Sequence, residues 1–210
     1  MEGAVAQGIL WGLMALGVYL TFRILNVADM TVDGSFAAGG AVTAVLILKG
    51  MNPLLSLFFV FLTGALCGLV TGFMNTKLKI NILLTSILTQ IALYSVNIRI
   101  MGRSNTPLIN KPTMMLGLQK FVQDIFSIDQ NQINKVFSKT KSSLVIGIIV
   151  IVIVIALMYW FFGTEIGSAV RATGSNEHMV RAMGVNTDTM KILGLMISNG
   201  MVAMSGALVA

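Results

Sequence analysis

The chain has 210 residues, of which 56% are apolar and only 10% charged, with a net charge of +6 and a mean hydropathy of +0.87. A soluble globular domain carries roughly a quarter charged residues, so the composition excludes that class. The positive balance does not point to nucleic acid, because Lys and Arg sit at the edges of apolar runs and in loops, with no aromatic-interleaved basic face.

Charge-free stretches run over Gly3–Phe22, Gly50–Thr76, Ile80–Ile98, Ser142–Thr164 and Ile192–Ala210. Each holds about 19 residues or more, against the roughly 20 a helix needs to cross a ~30 Å hydrocarbon core. The fold class is therefore all-α: a polytopic helical membrane protein of about six segments, forming one transmembrane domain over residues 1–210. The bilayer itself is its first partner.

Segment one, about Gly3–Phe22, follows Met1-Glu2 without a positive n-region and without an Ala-x-Ala cleavage site, so it is expected to be a retained span and not a signal peptide. Gly8 and Gly12 in it stand at GxxxG spacing. Segment two differs from the rest. Its uncharged part, Gly34–Leu48, would make only about 22 Å of helix, too short to cross alone. It must recruit Asp29–Asp33 or be a broken helix interrupted near Thr31–Gly34, whose freed backbone groups face a cavity. On that reading Asp29, Asp33, Gly34, Ser35, Gly39 and Gly40 are candidates for a solute path. The alternative leaves both aspartates in water at the membrane surface, with a short tilted helix packed behind them.

Segment three, about Pro53–Met74, carries Gly64, Gly68 and Gly72 on one face, a double GxxxG that lets another backbone approach closely. Its Cys67 is the sole cysteine, which rules out a disulfide framework and a cysteine-based metal cluster. Segment four, about Ile80–Ile98, embeds Gln90, Ser95 and Asn97. The long loop Arg99–Lys141 is broken early by Pro107 and Pro112. Met114, Met115, Leu118, Phe121, Val122, Ile125 and Phe126 then form an apolar stripe opposite Gln119, Lys120, Gln123 and Asp124, the pattern of an interfacial helix. Segment five, about Ser142–Phe162, is nearly solid Ile and Val and ends in an interfacial Tyr159-Trp160 pair. Segment six starts near Thr189.

Between the last two segments lies a polar island, Gly163–Lys191. Ser175 is placed to N-cap a short helix with Glu177 in its first turn, and Gly184 to end it in the left-handed conformation. Met179, Ala182 and Met183 fall on one face. Such a helix suits docking against a partner; the plainer alternative is a helix resting on lipid headgroups.

Five crossings before Gly163 put Arg23–Asp33, Asn75–Lys79 and Gly163–Lys191 on one side with six Lys/Arg, against eight in Lys49 and Arg99–Lys141 opposite. The positive-inside rule discounts long loops, yet on this count it does not favour a cytoplasmic Gly163–Lys191.

No catalytic constellation can be assembled. His178, the sole histidine, has no Cys or carboxylate ligand set near it in sequence and reads as a surface residue of the loop helix. Gly-x-Ser-x-Gly, His-Glu-x-x-His and P-loop patterns are missing, so no catalytic residue, metal or cofactor is implied, and any ATP hydrolysis must belong to another polypeptide. Asp29 and Asp33 are the only candidates for buried charge, which weakens an ion-coupled carrier.

Three stretches carry a family resemblance: RILNVADMTVDGSFAAGGAV (Arg23–Val42), INILLTSILTQIALYSVNIRIMG (Ile80–Gly102) and GTEIGSAVRATGSNEHMVRAMGVNTDTMKILGLMISNGMVAMSGALVA (Gly163–Ala210). They resemble permease subunits of bacterial ABC importers in the branched-chain amino-acid and sugar permease superfamily, and within it the branch of tryptophan/tyrosine and uncharacterised ABC transport permeases. The resemblance runs nearly end to end, and the third stretch is its most specific part.

It implies a type II ABC importer-like fold in the bacterial inner membrane, importing a small solute such as an aromatic or branched-chain amino acid. Implied partners are cytoplasmic ABC ATPase subunits, a second permease copy in a homodimer, and an extracytoplasmic solute-binding protein. In that family the island is a cytoplasmic coupling loop, here 163–190, whose matching positions are Ala172, Gly174, Asn176, Met179, Ala182, Gly184 and Val185. Met183 joins them by lying on the same face. Residues 99–141 would then be extracytoplasmic. Members of the family continue for several further spans, so a C-terminal truncation is expected. The rival reading is an ion-coupled secondary transporter or channel.

Overall fold

A computed structural model describes residues 2–102 and 139–209 of the chain, and among these it forms eight helices. Helix α1 (Glu2–Tyr19) continues into a π-helical turn (Leu20–Ile24). Then come α2 (Val32–Leu48), α3 (Pro53–Thr76), α4 (Ile82–Met101), α5 (Lys139–Phe162), α6 (Glu165–Ser175), α7 (Glu177–Ala182) and α8 (Thr187–Val209). Local chemistry sets the ends. Pro53 occupies the first turn of α3, where its missing N–H is no loss. The Asn81 side chain accepts the Leu83 N–H at the start of α4, and Gly102 ends that helix at φ +66°.

Gln7–Ile24, Leu55–Thr76, Ile82–Met101 and Thr187–Val209 are each long and apolar enough to cross a bilayer. Helices α5 and α6 meet the same measure of length and apolarity taken together, with the chain bent by 83° at the break between them. Helix α2 is the short segment: 17 residues, or about 25 Å.

Helix α8 is the centre of the bundle. It runs antiparallel to α1, whose Leu10 and Gly17 carbonyls accept Ser205 and Ser198 Oγ, each at 2.7 Å. It is also antiparallel to α3, where Gly64, Gly68 and Gly72 face Asn199, Leu195 and Ile192. It is parallel to α2, where Gly39 lies against the Ala203 carbonyl. A Cβ at Gly64 or Gly68 would strike a backbone carbonyl of α8. Lipid tails are as apolar as leucine, so no hydrophobic force drives spans together. Close approach of small residues and hydroxyl-to-carbonyl bonds supply the association, which is why the glycine face of α3 meets α8.

The glycine pair of segment one behaves differently. Nothing lies within 4 Å of a Cβ at Gly8, and Gly12 meets only the tip of Ile151. The close approach from α1 is at Gly17, against the Ser198 carbonyl and Val202. Helix α4 shows lipid logic turned inside out: it buries Thr85, Ser86, Thr89 and Asn97 while exposing Leu84, Ile87, Ile91 and Tyr94. Of its expected embedded polar groups, Asn97 is buried, Gln90 is half-buried and Ser95 is exposed.

Two expectations need correction. Segment two is not interrupted at Thr31–Gly34, because α2 is unbroken from Val32 and takes Asp33, Gly34, Gly39 and Gly40 into the helix. The non-helical backbone comes earlier, over Leu25–Met30. Asp29 Oδ1 accepts the Thr31 N–H at 2.9 Å and Thr31 O starts the helical ladder with the Ser35 N–H, so helix begins as soon as Asp29 is placed. The polar island holds two helices, not one, and Asn176 caps the second by accepting the Met179 N–H at 3.1 Å, while Ser175 ends the first.

Candidate functional site: the α6–α7 loop and the polar hub behind it

Thr164 caps α6 by accepting the Gly167 N–H at 3.2 Å, directly after the sharp bend from α5. Gly167 lies against the Phe161 carbonyl with no room for a Cβ, which holds α6 across the end of α5. Val170 and Thr173 face inward with Gly167. At the far end of α6, Gly174 sits on the Ile24 carbonyl, again without room for a Cβ.

Helix α7 is only six residues long and owes its position to side-chain bonds. Glu177 accepts from Lys191 Nζ at 2.6 Å and from Arg181 Nη2 at 3.0 Å, and Arg181 also reaches Thr187 Oγ1 at 2.9 Å and Asp188 at 3.4 Å. These bonds tie α7 to the first turn of α8. The Lys191 hydrogen bond, with the Lys191 and Arg181 charges behind it, holds the Glu177 carboxyl below its usual value despite partial desolvation. Gly184 closes the helix at φ +85°, in the region that favours glycine.

Only Val180 of α7 is turned into the protein, at 3% exposure; Met179 and Met183 are 54% and 73% exposed. Ala182 is exposed with them. Of the remaining positions expected in this site, Asn176 is the cap, Ala172, Gly174 and Val185 are half-buried, and His178 is exposed. The loop thus presents a methionine face to the outside from a helix braced on its inner side.

Behind the loop is a hydrogen-bonded hub that the sequence reading did not assemble. Asp29, 1% exposed, accepts from Asn199 Nδ2 at 2.7 Å, and Asn199 Oδ1 accepts from Ser35 Oγ at 2.8 Å. Thr31 and Thr71 hydroxyls meet at 2.9 Å beside it. Among the residues singled out as a solute path, Asp29, Gly34, Ser35 and Gly39 are buried in helix contacts, Gly40 is half-buried, and Asp33 is exposed with Gln90 Nε2 at 3.5 Å. Among the described residues, crevices on the sides of the bundle include one of about 540 Å³ between α3, α5 and α8 and one of about 460 Å³ between α3 and α4. Neither is lined by Asp, Glu, Lys or Arg. Asn199, Lys191 and Thr187 were the functional neighbours missed. An amide in the middle of an apolar span was the signal available for Asn199.

Gly174 on Ile24, Gly194 on Leu25 and Gly72 on Ile192 bring the α6–α7 loop, the Leu25–Met30 link and the end of α3 to one face of the bundle. A bent, helix-bearing loop thus lies at one end of the spans. The description "Branched-chain amino acid transport system / permease component" matches residues 1–210. The chain belongs to this permease family. It is accordingly a multi-pass protein of the inner membrane. It is 35% identical over its whole length to a tyrosine transport system permease protein of Clostridioides difficile, covering 65% of that protein. It is 32% identical over 99% of its length to an uncharacterised protein of Rickettsia prowazekii, covering 66% of it. A third relative, 28% identical over 99% of the chain and covered to 64%, is a Methanocaldococcus jannaschii protein named for branched-chain amino acid transport permease LivH. The chain thus spans just under two thirds of the length of these curated relatives. No solved structure matches it significantly.

Proposed function

We propose that this chain is the membrane-spanning part of a permease subunit in an ATP-driven importer of an amino acid, aromatic or branched-chain. The observation that carries the reading is the outward methionine face of α7 on a helix clamped from behind by Glu177, Arg181 and Lys191. Met179, Ala182 and Met183 dock in a groove of a cytoplasmic ABC ATPase, which makes residues 163–190 the cytoplasmic coupling loop. Residues 99–141 then face the outside and receive a solute-binding protein. Most of that loop, including the expected interfacial helix at Met114–Phe126, lies outside the described residues. A second permease copy completes the solute path. In this arrangement segment two contributes Asp33 and Gly40 to the path, while Asp29, Gly34, Ser35 and Gly39 hold it in place.

The names of two relatives, one for tyrosine and one for branched-chain amino acids, support the solute class. An ion-coupled carrier or channel would need ionisable groups free to bind an ion inside the membrane. Asp29 instead has both oxygens hydrogen-bonded to protein donors.

The test is Met183→Asp in the full-length permease. Burying a methionine in a docked interface stabilises it by roughly 1.5–3 kcal/mol, and a carboxylate there adds desolvation. ATPase co-purification, normalised to permease level, should fall about tenfold or more with insertion unchanged. Undiminished co-purification sinks the docking role and favours a helix that rests on lipid headgroups.

A further inference from the structure

We propose that the non-helical link Leu25–Met30 receives the motion of the α6–α7 loop and passes it to the head of α2, with Leu25 as the positioning residue. This rests on the docking role above and names the element that docking acts upon. Leu25 is 3% exposed and is held from two directions. The last turn of α6 presses on it through Gly174, which lies on the Ile24 carbonyl and the Leu25 backbone. From the other side Gly194 of α8 lies against the Leu25 side chain. Both helices belong to the loop assembly, because Glu177 joins α7 to Lys191 of α8 and the α6–α7 junction is the single residue Asn176. A partner that displaces α7 therefore pulls on α6 through Asn176, while the ion pair to Lys191 braces α7 on the first turns of α8.

The backbone around Leu25 departs from regular helix. Leu20–Ile24 is a π-helical turn, a rare form found most often at functional positions. Val27 N–H bonds back to Thr21 O across it, and Asn26 follows in the left-handed region at φ +54°. The downstream end is fixed. Asp29 is held by Asn199 and itself holds the Thr31 N–H, so α2 begins wherever Asp29 is placed. A turn gripped by the loop at one end and bonded to the start of a helix at the other transmits displacement. Helix α8 also packs directly on α2 at Gly39–Ala203 and Phe36–Gly206, so the link is the route by which α6 in particular reaches the head of α2.

Hydrogen exchange on the full-length permease reconstituted with its ATPase tests this, comparing nucleotide-free and ATP-bound states. The expected result is a severalfold change in exchange at residues 25–31, together with protection of α7 on ATPase binding. If α7 is protected and residues 25–31 do not respond to nucleotide, the link is not the receiver and docking stands. If α7 is not protected either, both readings fall. Leu25→Ala should leave the ATPase bound, abolish the nucleotide response at residues 25–31 and lower ATP-driven transport at least tenfold. Wild-type transport by this variant overturns the inference. Should the variant fail to insert, the wild-type comparison still decides.

Discussion

Asn199 sits where three elements of the bundle meet, and its removal gives the sharpest test of how they are joined. In Asn199→Ala, Asp29 Oδ2 loses its donor at 2.7 Å but Oδ1 keeps the Thr31 N–H, while Ser35 Oγ keeps the Val32 carbonyl at 3.0 Å. The damage is therefore concentrated on one oxygen of one buried carboxylate. A hydrogen bond to a charged group contributes about 1.5–3 kcal/mol. Inside membranes such bonds are weaker when measured by double-mutant cycles, averaging about 0.6 and reaching about 1.7 kcal/mol, because the unfolded chain in lipid also finds partners. Burial of the whole cluster argues for the upper end, a coupling of about 1–1.7 kcal/mol between Asp29 and Asn199. The single variants Asp29→Ala and Asn199→Ala and the double variant should be unfolded from detergent under identical conditions. The double variant should be less destabilised than the sum of the singles by that coupling energy. Strict additivity would mean that the hub holds nothing together, and the account of how α2 is anchored would fail with it.

The packing and the loop are each open to a direct perturbation. Gly68→Ala should lower thermal stability in detergent by about 1–3 kcal/mol, since its Cβ meets the Leu195 carbonyl, whereas Gly8→Ala, with open space around it, should be neutral or slightly stabilising; equal effects would refute the packing account. Glu177 has a folded-state carboxyl held below its ordinary value of 4.5, so its contribution is full above that value and is lost as pH falls through the lowered one. Exchange protection of the Val180 and Val185 amides should accordingly drop on acidification from about pH 6 to about pH 3, reference-corrected for intrinsic exchange, and Glu177→Gln should show the low protection at both ends; a pH-independent wild type would contradict the clamp.

Most of the fold was legible because bilayer physics writes it in a coarse alphabet. Charge-free runs of span length gave α1, α3, α4, α5 and α8 to within a few residues at most ends, and the spacing of Gly64, Gly68 and Gly72 marked a face for close approach. The same alphabet could not say which GxxxG is used. Gly8–Gly12 and Gly64–Gly68 look alike in sequence, and only the second pair lies against the backbone of another helix, since the partner choice is made by the three-dimensional order of spans. Segment two was anomalous in length for a reason that sequence could locate only roughly. Asp29 and Gly34 both suggested a break, but Gly34 is used to admit Gln90 and Leu93 of α4 closely, and Asp29 organises the helix start from outside it.

The loop helix shows the limit most clearly. Its outward face of Met179, Ala182 and Met183 followed from periodicity, but what holds that face outward comes from Lys191 and Thr187, residues of the next span that no local pattern connects to Glu177. A carboxylate in the first turn, as Glu177 is by sequence, acts on the dipole of its own helix, an exposed effect of about 0.3–1 kcal/mol. In the structure it is the bolt between two helices, so Glu177→Ala should loosen the whole loop and not merely fray one turn. A short helix cannot stabilise itself in water, and any partner that pushes on α7 therefore works against the ion pairs behind it. The outward apolar face of α7 is three side chains wide, Met179, Ala182 and Met183, and its stiffness is borrowed from the span that also anchors Asp29.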